Sequence, residues 1–137
     1  ENLLKFSKNK VSKEMCLNIN PVSKPRMTQS DRWKKRSVVL QYWVFRDEIF
    51  FGALAQGYRP SFELIMEFVI AMPKSWSKSK KEDMNGEPHQ STPDIDNLEK
   101  GILDSLFVED KKVHKVMASK VWGYNGKVLI KNWHRMY

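Results

Sequence analysis

Apolar and polar positions alternate most cleanly over residues 62–70, where Phe62, Leu64, Met66, Phe68 and Ile70 take every second place and Glu63 and Glu67 fall between them. A period of two sends the first set to one face, so this segment predicts a strand with a strongly apolar side. A weaker alternation over Met15–Asn20 ends at Pro21 and predicts a short edge strand. From Asp31 to about Gln56 the chain has no proline and carries Trp33, Val38, Leu40, Tyr42, Trp43, Val44, Ile49, Phe50 and Leu54. That content predicts a long helix, stopped by Gly57. Leu98, Ile102 and Leu106 lie four apart and predict a short helix, with Asp96, Lys100 and Asp104 on the neighbouring ridge. Val113–Trp122 and Lys127–Trp133 are rich in β-branched and aromatic residues. Gly123, Tyr124, Asn125 and Gly126 between them supply turn chemistry, which predicts an antiparallel hairpin.

The order β, α, β, loop, α, β, β, without repeat or linker, predicts an α+β (α/β) fold: one small domain over residues 1–137, a mixed sheet with helices packed on one side. Residues 74–92 are polar and basic, with too little apolar content to pack beyond a first turn capped by Ser75, and they read as a mobile basic loop. The longest apolar stretch is broken by Glu67 and falls short of the ~20 residues a membrane helix needs. The first residues show no signal-peptide pattern. Cys16 stands alone, which excludes an intrachain disulfide framework and a multi-cysteine zinc site and suits a reducing compartment. A cytoplasmic location is expected. His89, His114 and His134 are too scattered to suggest zinc, and His89 reads as a surface loop residue.

Charge changes this picture. The chain carries 24 Lys and Arg against 16 Asp and Glu, a formal net charge of +8, and such an excess suits a polyanionic partner. Against that background one segment concentrates acids: Asp94 and Asp96 flank a single residue after Pro93, Asp104 follows on the helix, and Asp110 lies beyond it. A turn at Asp94–Asp96 aims two carboxylates at one point, and Asp110 is placed to return as a third oxygen ligand. Such a cluster is costly unless a cation neutralises it, and oxygen-rich sites of this kind suit Mg²⁺. In phosphodiester hydrolysis the ion lowers the pKa of bound water and offsets charge on the phosphoryl oxygens. Lys100, one turn beyond Asp96, is placed to contact the scissile phosphate or to keep the carboxylates ionised. A plain structural role fits some of the same residues. Asp96 and Glu99 match a capping box, and Asp96 with Lys100, or Lys100 with Asp104, are ordinary i,i+4 pairs. Capping requires neither Asp94 nor Asp110.

This pattern resembles the RusA family of Holliday-junction resolvases. The resemblance rests on Pro93-Asp94-Ile95-Asp96-Asn97-Leu98 followed by Lys100, on Ile102-Leu103-Asp104-Ser105-Leu106, and on Asp110 with Val113 after it. Lys24-Pro25-Arg26 is similar to an early proline-and-arginine segment of the family, and Lys120 before a glycine-containing turn is similar as well. The resemblance implies a small α/β fold, a homodimer, and Mg²⁺-dependent paired nicking of four-way junctions in DNA recombination and repair, with Mn²⁺ as a substitute ion and a bacterial or phage origin. It places metal binding on Asp94, Asp96 and Asp110 and an essential basic role on Lys100. The chain departs from the family at Glu109-Asp110, where two aspartates are common, and at Lys112, where glutamine is common.

Lys24, Arg26, Lys78, Lys80, Lys81 and Lys112 are the candidate DNA-backbone contacts. Trp33, Tyr42 and Trp43 read as core or dimer residues rather than base-stacking platforms. Trp43, Phe50 and Phe51 are the candidate dimer contacts. Two competing functions are a branched-DNA-binding module of the same fold that does not cut, and a nucleotide-sugar transferase using Asp94-x-Asp96. The second lacks the length and a nucleotide-binding unit.

Overall fold

Leu64, Met66, Phe68 and Ile70 are all buried, as their alternation requires, and the strand carrying them is paired on both sides. The computed structural model describes residues 11–26 and 36–133. Its elements are β1 (Glu14–Leu17), α1 (Ser37–Gln56), β2 (Glu63–Ala71), α2 (Lys78–Met84), α3 (Ile95–Leu106), β3 (Lys115–Gly123) and β4 (Lys127–Asn132). The sheet order is β1-β4-β2-β3, with β2 parallel to β3 and antiparallel to β4, and β1 antiparallel to β4. This mixed sheet with its helices is an α+β fold. A parallel neighbour demands a long crossover, and residues 72–114 supply it with α2 and α3.

The core lies between α1, α3 and one sheet face. Phe45 and Ile49 of α1 and Leu98 and Ile102 of α3 meet Met15, Leu64, Met66, Phe68, Val128 and Ile130 of the strands. Gly57 ends α1 in the left-handed region at φ 68°, where glycine carries no side-chain penalty, and its N–H reaches the carbonyls of Ala53 and Leu54. The expected start of this helix at Asp31, and Trp33 with it, fall outside the described residues. α1 is apolar on both flanks: Val39, Tyr42, Phe45, Ile49 and Ala53 are buried, while Val44, Phe50 and Phe51 are about half exposed.

Two expectations are corrected. The hairpin does not form: β3 and β4 run in opposite directions, but β2 lies between them. The most apolar strand thereby gains partners on both edges, and Gly123-Tyr124-Asn125-Gly126 crosses its end instead of turning back. A Cβ at Gly123 would fall 2.3 Å from Val69 Cγ1, and one at Gly126 would fall 2.4 Å from Asn20 Cα, so both glycines serve close crossings. Residues 74–92 are not a featureless loop. Ser77, rather than Ser75, caps α2 by accepting from the Lys80 N–H at 3.1 Å. Although α2 buries none of its own residues, Trp76 before it packs on Trp122 with ring centroids 4.8 Å apart. One aromatic contact replaces the missing apolar stripe.

Candidate active site at the head of α3

The chain enters α3 along the outer edge of β3. Gly86 N–H donates to Trp122 O, Trp122 N–H to Glu87 O, and His89 N–H to Lys120 O, so this segment adds a short antiparallel rung to the sheet. Ser91 and Pro93 follow, joined through a cis Thr92–Pro93 bond, and Lys120 Nζ donates to both of their carbonyls, at 2.6 and 2.8 Å. The next residue is Asp94.

Asp94, and not Asp96, occupies the N-cap of α3. Its backbone is extended, as a cap requires, yet its side chain makes no capping hydrogen bond. Asp96 lies in the first turn, and the capping box with Glu99 is therefore not formed. Both carboxylates are exposed. Lys100 Nζ stands 3.9 Å from Asp96 Oδ2, a loose i,i+4 pair with both side chains largely in solvent. Glu99 titrates above its usual range, first because it is partly buried and then because the Asp96 charge stands nearby. The positive end of the α3 dipole thus faces two carboxylates that no hydrogen bond among the described residues consumes. Oxygen donors of this number and charge fit Mg²⁺, which keeps several waters and uses one or two carboxylates.

Asp110 is placed elsewhere. It follows the far end of α3, where Phe107 meets Phe62 and His114 N–H donates to Phe62 O. Asp94 caps the other end of this twelve-residue helix, which is about 18 Å long. Among the described residues no three His, Cys, Asp or Glu side chains gather closely enough to hold one ion. The structure places Asp94, Asp96 and Lys100 on the first turns of α3, and Asp110 and Lys112 are exposed beyond its C-terminal end.

Asp104 belongs to a different arrangement. Its Oδ2 accepts from Tyr42 Oη at 2.8 Å and pairs with Lys24 Nζ at 2.8 Å, while Lys24 N–H donates to Asn97 O. Burial alone would raise the Asp104 pKa. The Lys24 and Tyr42 hydrogen bonds and the charges of Lys24 and Arg46 outweigh it and hold the carboxyl below its ordinary range. Tyr42 shifts upward, chiefly through burial and then through the Asp104 hydrogen bond and charge. Lys24 therefore docks the 21–26 segment onto α3, and its ammonium is already paired. Arg26 next to it is exposed, and its carbonyl accepts from Arg36 Nη2 at 2.9 Å.

Lys78 and Lys80 of α2 are exposed and Lys81 is partly so; Lys80 Nζ also rests 4.2 Å from the Trp76 ring centre. His89 corrects the sequence reading most sharply. It is 3% exposed, its ring packs at a tilt against Trp122 with centroids 4.2 Å apart, and its Nδ1 has no hydrogen-bond partner among the described residues. Burial, and next the nearby Lys120 charge, lower its pKa. The sequence carried no signal for this burial, since a lone histidine in a polar run has no periodicity. Lys120 did leave one: Val116, Ala118, Lys120 and Trp122 are alternate residues of one face, and a lysine interrupts an apolar set.

No helix among the described residues is long and apolar enough to cross a membrane. A comparison with individually curated proteins gave no match. Residues 18–131 match the family model of endodeoxyribonuclease RusA, a span that includes β2, β3, both core helices and the whole head of α3. With most of the chain matched and the two uncapped carboxylates inside that match, the chain belongs to the RusA family of endodeoxyribonucleases, enzymes that act on branched DNA junctions.

Proposed function

We propose that this chain is a Mg²⁺-dependent, structure-selective endodeoxyribonuclease that resolves four-way DNA junctions by paired nicks in recombination and repair. The observation that carries the reading is the α3 head, where Asp94 holds the cap position without capping and Asp96 stands beside it, both exposed, in a chain of this nuclease family. Asp94 and Asp96 would hold the ion, with Mn²⁺ as a substitute; the family pattern adds Asp110 as a third ligand, which among the described residues does not gather with the other two. When bound, the ion activates water and offsets phosphoryl charge. Lys100 is held only loosely by Asp96, so its ammonium is available to a scissile phosphate at little energetic cost. Arg26, Lys78, Lys80, Lys81 and Lys112 supply salt-sensitive contacts to the DNA backbone. Lys24 contributes by anchoring the segment that carries Arg26.

Paired cuts require two symmetry-related sites, and the reading includes a homodimer. Phe50 and Phe51, 49% and 59% exposed and stacked edge to face at 5.2 Å, support α1 as its contact. Trp43 is partly buried and offers less. One observation favours the non-cutting alternative: among the described residues no third His, Cys, Asp or Glu gathers with Asp94 and Asp96. Nicking of a synthetic four-way junction beside matched linear duplex, with Mg²⁺ and with chelator, tests both readings. Symmetric Mg²⁺-dependent nicks in the junction alone support the resolvase. Tight junction binding without cutting supports the binding module.

A further inference from the structure

Lys120 occupies a place in the sheet where a cation is unexpected. In register it lies opposite Phe68, which in turn pairs with Val128, and both of those are fully buried on the helix-facing side. Its neighbours on the same side, Val116, Ala118 and Trp122, pack against the core. Holding an ammonium half-buried in that row costs free energy unless its protons are used. Two of the three are used, and both go to the same short stretch of backbone: Ser91 O and Pro93 O, the carbonyls three residues and one residue before Asp94's own. The strand beneath is fixed in turn, because Lys120 O accepts from His89 N–H and the His89 ring is wedged against Trp122. Sheet, entry segment and helix cap are thus tied through one side chain.

We infer that Lys120 is a positioning residue for the Asp94–Asp96 turn: by gripping the carbonyls of Ser91 and Pro93 it fixes where the two carboxylates stand, and so sets the affinity of the site for its divalent ion. Lys120 does not itself hold the ion. Its action resembles that of outer groups that orient metal ligands, whose loss typically lowers metal affinity 10- to 100-fold. A purely structural lysine at this position would instead lower stability and leave the metal isotherm of the folded protein unchanged.

The inference rests on the metal reading above, and the test separates the two. Mn²⁺ is titrated calorimetrically into the native chain, Asp94→Asn and Lys120→Met, and amide exchange is followed over Ser91–Asn97. Lys120→Met is expected to weaken Mn²⁺ binding about tenfold, to speed exchange in that segment, and to raise the Mg²⁺ needed for cleavage while junction binding without metal stays native. Native Mn²⁺ affinity in Lys120→Met, with Asp94→Asn weakened, overturns the role given to Lys120. Native affinity in Asp94→Asn overturns the metal reading itself. Should Lys120→Met fail to fold, Lys120→Arg keeps the charge but presents a planar fork in place of one tetrahedral donor. A several-fold weaker Mn²⁺ isotherm in that variant supports the inference, and a native one overturns it.

Discussion

Asp94 and Asp96 at the head of α3 and Asp104 two turns further along are the same chemical group on one helix, held in opposite ways. Asp104 accepts from Tyr42 and pairs with Lys24, so its charge is matched on two sides and it joins α1, α3 and the 21–26 segment. At the head, Asp94 makes no capping bond and Asp96 has only a loose, exposed lysine. The difference shows how the environment divides labour among identical residues. A carboxylate whose partners are already in place stabilises the fold, and one left open at a positive helix end is ready for a ligand that folding does not supply.

The sharpest way to break this comparison is to neutralise the head. Asp94→Asn and Asp96→Asn are each expected to lower Mg²⁺-dependent junction cleavage by about 100-fold or more, while unfolding in urea changes by less than about 0.5 kcal/mol. If Asp96→Asn cuts at the native rate, its charge is no more functional than that of Asp104. Lys100→Ala should follow in size, with turnover falling roughly 10- to 100-fold and junction binding nearly native. Equal losses of binding and cutting, both restored by lowering the salt, would mean that Lys100 is only surface charge.

Asp104→Asn should invert the pattern. Loss of its charge weakens two hydrogen bonds at a site about one-third exposed, for roughly 1–2 kcal/mol of stability, and cleavage well below the melting range stays within a few-fold of native. An Asp104→Asn chain of native stability that no longer cuts would place it with the head instead. The smallest effect concerns His89. Burial and Lys120 lower its pKa below the ordinary 6.5, so the folded chain binds fewer protons there than the unfolded one. The associated stability is complete above about pH 6.5 and is lost as pH falls from there toward the lowered folded value, with a slope of at most about 1.4 kcal/mol per pH unit. Urea unfolding between pH 7 and 5 should show a decline that His89→Leu flattens; parallel curves for the two chains would contradict it.

Local pattern made much of this legible in the sequence. The period-two run of β2, the four-residue spacing of Leu98 and Ile102, and Gly57 as the end of α1 each depend on neighbours within a turn or a strand, and each is found as expected. What the sequence left hidden depends on distant partners. Asn125-Gly126 carries the same turn chemistry whether the strands beside it pair with each other or admit β2 between them, and only the demand to cover Phe68 on both sides decides. Trp76 could not announce α2 as packed, since its partner Trp122 lies across the crossover. In the site, spacing pointed to Asp94, Asp96 and Lys100, which stand together, but spacing cannot tell whether residues 107–114 fold back along α3. Asp110 follows the C-terminal end of α3, and among the described residues no third carboxylate gathers with Asp94 and Asp96.

The pairing of β1 with β4 has a consequence for the order of assembly. Met15 faces Ile130 and Glu14 faces Lys131, partners near opposite ends of the chain, whereas Ser91, Pro93 and Lys120 lie on one continuous stretch with β2 just before it. During synthesis, β2, the crossover and β3 leave the ribosome together and can close their parallel pair first. β4 pairs with the other side of β2, and Glu14–Leu17 has no strand to pair with in this sheet until β4 has been made. Among the described strands, the one made earliest thus waits for the one made latest, whereas every residue that ties the Asp94 turn to β3 has been made before β4 begins.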